Sequence, residues 1–109
     1  MNWTPLNSLE QLQHIFDNDK VSVIFKHSTR CPVSSMAKRS LEFDSDLIPT
    51  GSDFYYLDLI ANRDISNKIV ELWNIKHESP QILIVKGNTC LYNASHSDIE
   101  MQSIIPFIS

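Results

Sequence analysis

The feature that most constrains the fold is a short apolar run, Val21-Ser22-Val23-Ile24-Phe25, followed closely by the turn around Cys31. Because hydrophobic residues dominate the run and do not alternate strictly with polar ones, it predicts a strand buried on both faces, at the centre of a sheet. The segment from Pro32 to Phe43 predicts a helix, since the missing N–H of a proline is no loss in the first helical turn. Cys31 is therefore expected where a central strand passes into a helix.

Basic residues surround this cysteine. Between Val21 and Leu41 the chain has no Asp or Glu, and the basic residues there are Lys26, Arg30, Lys38 and Arg39. Together with the unpaired N–H groups and the positive dipole end of the helix, these charges favour the thiolate, which is the nucleophilic form of cysteine. Arg30 is expected to contribute most, with Lys38 and Arg39 on a solvated helix face. A buried structural thiol is the alternative for Cys31.

The other periodic segments predict an α/β fold in a single domain over residues 1–109. Further helices are predicted from Ser8 to Asn18, from Asn62 to Trp73 and from Ser97 to about Ile105, where Pro106 should end or fray the last one. Further strands are predicted at Phe54–Leu59, Gln81–Lys86 and Thr89–Ala94, the last two as a hairpin around Gly87-Asn88. A strand–helix–strand order implies a parallel pair with a right-handed crossover, so the sheet is expected to be mixed.

Composition excludes several classes of function. A net charge of −4 and a pI near 5.4 argue against a nucleic-acid-binding protein. Two glycines cannot form a phosphate-binding glycine-rich loop. No apolar run reaches the roughly 20 residues that span a bilayer, and the N-terminus shows no signal peptide. The two cysteines and four histidines have no metal-ligand spacing. We therefore expect a cytoplasmic protein with no nucleic-acid, membrane or metal partner.

The turn itself resembles a known family. Cys31-Pro32-Val33-Ser34 after a strand resembles the thioredoxin-fold active site with its second cysteine replaced. The longer string Thr29-Arg30-Cys31-Pro32-Val33-Ser34 closely resembles the monothiol bacilliredoxin motif Thr-Cys-Pro-Ile-Ser, with Arg30 inserted and Val33 in place of Ile. The resemblance covers essentially the whole chain. It implies a thioredoxin-like α/β fold, with a central four-stranded mixed sheet flanked by helices.

The resemblance also implies a function. A monothiol bacilliredoxin is expected to remove bacillithiol, a low-molecular-weight thiol, from protein mixed disulfides in the bacterial cytoplasm. Cys31 would be the nucleophile, within an active-site loop of Thr29, Arg30, Pro32, Val33 and Ser34. Bacillithiol is then the thiol cosubstrate, no metal is required, and the partners are bacillithiolated proteins. A monomer is expected.

Three further residues take their roles from the resemblance. Ser34 stands in the place of the resolving cysteine, so Cys31 would keep its mixed disulfide until an outside thiol removes it. The Ser34 hydroxyl either bonds the Cys31 thiolate or is a polar group of the first helical turn. Ser79-Pro80 is expected to be cis and to bind substrate, with the Ser79 backbone free to pair with a bound partner. The alternative is an ordinary proline that opens a strand.

Other residues leave alternatives open. His27, four residues before Cys31, is either a base or a polar residue at the end of a strand. Cys90 is either a buried structural thiol or a resolving partner, and the second role requires Cα atoms within about 7 Å of each other. A carboxylate on a bound thiol could pair with Arg30 or Lys26.

Two other functions also stay open. One is iron–sulfur cluster binding with a small thiol, as in monothiol glutaredoxins, whose Cys-Gly-Phe-Ser motif has Gly where this chain has Pro32. The other is a thioredoxin-like scaffold without redox turnover.

Overall fold

A computed structural model describes residues 1–109 and orders them as helices and strands that alternate along most of the chain. The strands are β1 (Trp3–Pro5), β2 (Val21–His27), β3 (Asp53–Asp58), β4 (Gln81–Lys86) and β5 (Thr89–Ser95). The helices are α1 (Leu9–Asp17), α2 (Pro32–Phe43), α3 (Arg63–Trp73) and α4 (Met101–Ile108). Short 3₁₀ turns occupy Ser45–Leu47 and His96–Asp98. None of the helices is long and apolar enough to cross a membrane.

The strands form one mixed sheet in the order β1-β3-β2-β4-β5. Strand β2 is central as predicted, parallel to β3 and antiparallel to β4, and its residues Val23, Ile24 and Phe25 are fully buried. The prediction of four strands was one short, because β1 adds to the edge of the sheet beside β3. Trp3 holds β1 in place: its ring stacks on Phe25 with centroids 5.5 Å apart, and its indole N–H donates to Glu42 at 3.0 Å.

A layer of helices covers each face of the sheet. One apolar cluster packs β2 against α2 and α4 and includes Val23, Phe25, Ala37, Leu41, Met101 and Ile104. The other packs β2 and β4 against α1 and α3 and includes Ile24, Leu83, Leu12, Ile15, Ile65 and Ile69. Because side chains of a strand alternate between its faces, successive residues of β2 enter different clusters.

Two details of the helices differ from the predictions. Helix α4 begins at Met101, not at Ser97, because His96–Asp98 forms a 3₁₀ turn first. Pro106 lies inside this helix and does not end it. The helix continues because Met101 and Ile104 are buried against the core, and the Ser109 N–H still bonds the Ile105 carbonyl at 3.0 Å.

The inner face of α2 was predicted only in part. Ala37 and Leu41 are buried as expected, but Val33 and Met36 are 46% and 68% exposed. The third inward position belongs to Ser34, which is fully buried. Ser34, Ala37 and Leu41 are three and four residues apart and therefore share one face of α2, which is the buried face. Val33 and Met36 lie on other faces of the helix and are exposed to solvent.

Candidate active site

Cys31 lies at the junction between β2 and α2, as predicted. It is the N-cap residue of α2 and is half-buried, and Pro32 is the first helical residue. The Cys31 N–H donates to the Ser28 carbonyl, and the Cys31 carbonyl accepts from the Ser35 N–H, both at 3.1 Å. No side chain caps this helix. The positive end of the α2 dipole therefore lies at Cys31 without a capping carboxylate or hydroxyl to neutralise it.

The basic residues around Cys31 have different environments. Thr29 and Arg30 are exposed, and Arg30 has no ion pair within the chain, so its role at the sulfur stays a prediction. Arg39 is exposed, as expected of a solvated helix face. Lys38 is half-buried instead: its Nζ lies 2.9 Å from a Glu42 carboxylate oxygen and 5.8 Å from the centre of the Tyr56 ring.

Ser34 is engaged with His27 and with the active-site turn. Its Oγ lies 2.6 Å from His27 Nδ1 and accepts the Ser28 N–H at 3.1 Å. The structure therefore shows Ser34 as a polar group of the first helical turn. Its hydroxyl bonds His27 and Ser28 and not the Cys31 sulfur. Both side chains are buried, so this pair fixes the end of β2 to the start of α2.

His27 has the surroundings of a structural residue. Its ring packs on Phe25 and Tyr56, with centroids 5.6 and 5.3 Å away. Burial, and next the positive charge of Lys38, lower the pKa of His27, against the opposing carboxylate of Asp58. The Nδ1 atom is engaged with Ser34 and the ring is enclosed. His27 is therefore better explained as a structural polar residue at the end of a strand than as a general base.

The peptide bond Ser79-Pro80 is cis, which confirms the prediction. The Pro80 carbonyl accepts the His96 N–H at 3.0 Å, whereas neither backbone group of Ser79 has a partner within the chain. Gln81, the next residue, pairs with Lys26 in the sheet. Pro80 therefore lies level with the end of β2, at the same edge of the sheet as Cys31.

Lys26 is a buried charged residue at the end of β2. Its side chain is fully buried, and its Nζ donates to Gln81 Oε1 at 3.0 Å. Gln81 also accepts the Glu78 N–H at 3.4 Å and donates to the Lys76 carbonyl at 3.0 Å. Burial lowers the pKa of Lys26 to about 8, against the opposing charge of Glu78. Because the Lys26 side chain is fully buried and its Nζ is engaged with Gln81, exposed Arg30 is the better placed of the two to pair with a carboxylate on a bound thiol, and that pairing stays a prediction.

Cys90 is not a resolving partner for Cys31. It pairs with Val85, which pairs with Ser22 near the start of β2. Because a strand rises about 3.3 Å per residue, Cys90 lies roughly 16 Å from the level of His27, before the active-site turn is counted. Its Sγ lies 3.5 Å from the Tyr92 carbonyl, and burial raises its pKa. Both cysteines are free, and no three His, Cys, Asp or Glu side chains converge as metal ligands.

Comparison with known proteins identifies the fold and the family. A solved protein assigned as an oxidoreductase with a thioredoxin fold is 30% identical to this chain, with a TM-score of 0.78, over 94% of this chain and 89% of that one. The thioredoxin of Malassezia sympodialis, Mala s 13, is 23% identical, with a TM-score of 0.78 over 98% and 90% of the two chains. The thioredoxin of Trypanosoma brucei brucei is 19% identical, with a TM-score of 0.78 over 97% and 88%.

These likenesses confirm the thioredoxin-like fold. The model of the family described as monothiol bacilliredoxin BrxC matches residues 4–104, which is nearly the whole chain. Family and fold together support a thiol oxidoreductase. The chain belongs to the monothiol bacilliredoxin BrxC family.

Proposed function

We propose that this protein removes bacillithiol from protein mixed disulfides, with Cys31 as the attacking thiolate. The observation that carries the proposal is the position of Cys31 at the uncapped N-terminus of α2, with no second thiol within reach. A helix N-terminus stabilises a thiolate, and a stabilised thiolate is also a good leaving group. Both properties suit a cysteine that must first attack a disulfide and later be released from one.

The reaction consists of two disulfide exchanges. In the first, the Cys31 thiolate attacks the sulfur of the bacillithiol moiety, a Cys31–bacillithiol disulfide forms, and the target cysteine leaves as a thiolate. In the second, the thiolate of another bacillithiol attacks that sulfur, bacillithiol disulfide forms, and Cys31 is released as a thiolate. No net oxidation of the protein occurs over the cycle. Ser34 has no thiol to resolve the intermediate, so the second thiolate must come from outside.

The surrounding residues supply the binding surface in this proposal. Arg30 is exposed beside Cys31 and is a candidate to stabilise the thiolate. The unpaired N–H and C=O of Ser79 are available to pair with the backbone of a target protein, in the manner of an added strand. Pro32 and Val33 are exposed in the first turn of α2 and would face that target.

The test is the intact mass of the reduced protein after mixing with a bacillithiolated protein. The native chain and a Cys90→Ala variant should each gain one bacillithiol, with release of the target thiol, whereas Cys31→Ala should gain none. Loss of two hydrogens by the native chain would mean that Cys31 and Cys90 pair, which contradicts the monothiol cycle. An unchanged mass of the native chain would refute the proposed reaction and favour the cluster-binding or scaffold function.

A further inference from the structure

A polar cavity lies beside the active-site turn. Its volume is about 260 Å³, and it opens between the start of α3, the connector at 76–80 and the turn that follows β2. The polar residues that line it are Ser28, Arg63, Ser66, Asn67, His77 and Ser79. No Asp or Glu lines it, although the chain as a whole has more acidic than basic residues.

The cavity adjoins the reactive cysteine. Ser28 contributes to its wall, and the carbonyl of the same residue accepts the Cys31 N–H at 3.1 Å. Ser79, on the opposite side, precedes the cis proline at the same edge of the sheet. Cys31 itself does not line the cavity, so the part of a bound molecule that enters it would be a part remote from the Cys31 sulfur.

Arg63 is the one charged side chain that lines this cavity. Arg63 is exposed at its edge and has no ion pair, so its guanidinium is free to bind an anion. His77 Nδ1 lies 3.4 Å from Ser66 Oγ, and burial and then the charge of Lys26 lower its pKa, against the opposing charge of Glu78. Lys26, which does not line the cavity, acts on His77 through its charge from the core and is mainly protonated at neutral pH.

We propose that this cavity binds the carboxylate-bearing part of the low-molecular-weight thiol that is exchanged at Cys31, with Arg63 as the main carboxylate contact. The inference rests on the proposed function and adds the chemical class of the thiol to it. An Arg guanidinium pairs with a carboxylate through two parallel hydrogen bonds, and Ser66 and Asn67 supply further polar groups. The serine and asparagine groups could also bind a neutral polar thiol, so Arg63 is the group that favours an anion.

The test compares two small disulfides as reagents for Cys31 in a Cys90→Ala background at pH 7. Dithiobis(nitrobenzoate) carries two carboxylates, and dithiodipyridine is neutral. The rate constant of disulfide exchange is measured for the parent protein, for Arg63→Gln and for Lys68→Gln. Lys68 is the matched control, since it lies on the same helix but pairs with Glu71 outside the cavity.

Arg63→Gln should lower the rate constant with the dianionic reagent about threefold to fivefold, the upper part of what one solvent-accessible ion pair contributes, and leave the neutral reaction unchanged. Lys68→Gln should change neither. The proposal is wrong if Arg63→Gln slows both reagents equally or changes neither, or if Lys68→Gln has the same selective effect, which would indicate net charge alone.

This outcome is independent of the proposed function because neither reagent contains bacillithiol. A selective effect of Arg63 without any transfer of bacillithiol would leave the cavity assigned and refute de-bacillithiolation. Transfer of bacillithiol to Cys31 without a selective effect of Arg63 would support de-bacillithiolation and refute the assignment of the cavity. Arg63 is exposed and makes no side-chain hydrogen bond, so the variant should fold, and an unchanged rate with the neutral reagent verifies this.

Discussion

Lys26 and His27 are neighbours at the end of β2, yet they anchor opposite sides of the candidate active site. Because successive side chains of a strand point to opposite faces, His27 enters the side of the sheet covered by α2, and Lys26 enters the side covered by α1 and α3. Both side chains are buried. His27 bonds Ser34 in the first turn of α2, whereas Lys26 bonds Gln81, which in turn holds the connector before β4.

The two pairs differ in charge. His27 can be buried as a neutral imidazole, because its lowered pKa keeps it unprotonated at neutral pH. Lys26 remains mainly protonated at neutral pH, with a neutral amide as its hydrogen-bond partner. A buried charge without a counter-ion is unfavourable to folding, whereas a satisfied neutral pair is not. We infer that the histidine pair stabilises the fold and that the lysine is retained in spite of its effect on stability.

The largest effect is expected when the charge of Lys26 is removed. Its pKa is about 8 in the folded protein, against an ordinary value of 10.5 for a solvated lysine such as that of the unfolded chain. Below about pH 8 both states bind the proton, so the unfavourable burial is present in full. Between about pH 8 and 10.5 the folded state has lost its proton while the unfolded state still binds it, so stability rises with pH and the unfavourable contribution of Lys26 is progressively relieved.

Lys26→Met should therefore be more stable than the native protein at pH 7 by up to about 3 kcal/mol, and this advantage should shrink between about pH 8 and pH 10 as the folded native protein loses the proton. The measurement is urea denaturation of both proteins across this range. The raised pKa values of Tyr55, Tyr56 and Cys90 affect stability at alkaline pH in both proteins, so they cancel in the difference. A difference in unfolding free energy that does not change with pH would contradict the assignment of this charge.

Gln81→Leu should show what the amide contributes to the lysine. The variant leaves Lys26 without its acceptor, and a hydrogen bond to a charged group is worth about 2 kcal/mol, so the free energy of unfolding should fall by about that amount at pH 7. The control is the same substitution in a Lys26→Met background, where the loss should be much smaller. Equal losses in the two backgrounds would mean that Gln81 acts only through the connector.

Ser34→Ala tests the neutral pair on the other face. The substitution leaves His27 Nδ1 and the Ser28 N–H without their shared partner, and a buried unpaired polar group lowers stability by about 1–3 kcal/mol. We expect a loss near 1.5 kcal/mol in urea denaturation, with little pH dependence above neutral pH. Ser35→Ala, one residue later in the same turn, is the matched control and should change stability little. A loss equal to that control would show that the pair is not stabilising.

The sequence predicted most of the fold because its signals are local. The apolar run of β2, the proline at the start of α2 and the turn at Gly87-Asn88 each act within a few residues, and all three appear where expected. Strand β1 was missed because three residues are too few to show a period, and its edge position depends on Trp3 packing against Phe25. The cis peptide came from the family resemblance, not from local sequence.

The candidate site was less predictable because its contacts join residues far apart in the chain. Lys26 follows an apolar run and looks like the polar end of a strand. Its burial depends on the register that places it opposite Gln81, 55 residues later. Ser34 looked like a group for the thiolate because it lies three residues after Cys31, but its bond to His27 depends on how α2 packs on β2. No periodicity in the sequence reports either arrangement.

The smallest change in stability is expected for Lys38→Gln, which tests the effect of the Lys38 charge on His27. Lys38 lowers the pKa of this histidine through its charge, and it also pairs with Glu42. Lys38→Gln should raise the pKa of His27 toward its ordinary value, as measured by NMR titration of the imidazole. The unfolding free energy at pH 7 should change by less than about 0.5 kcal/mol, because a partly exposed ion pair contributes little.

The second measurement on Lys38→Gln is the unfolding free energy between pH 7 and pH 5. A histidine whose pKa is lowered by folding causes stability to fall once the pH drops below the unfolded value near 6.5, because the unfolded chain then binds the proton more readily. Moving the folded pKa closer to 6.5 should therefore reduce the loss between pH 7 and pH 5. Arg39→Gln, which removes the neighbouring exposed charge, should change neither the titration nor the loss. If both variants moved His27 equally, the effect would come from net charge and not from the position of Lys38.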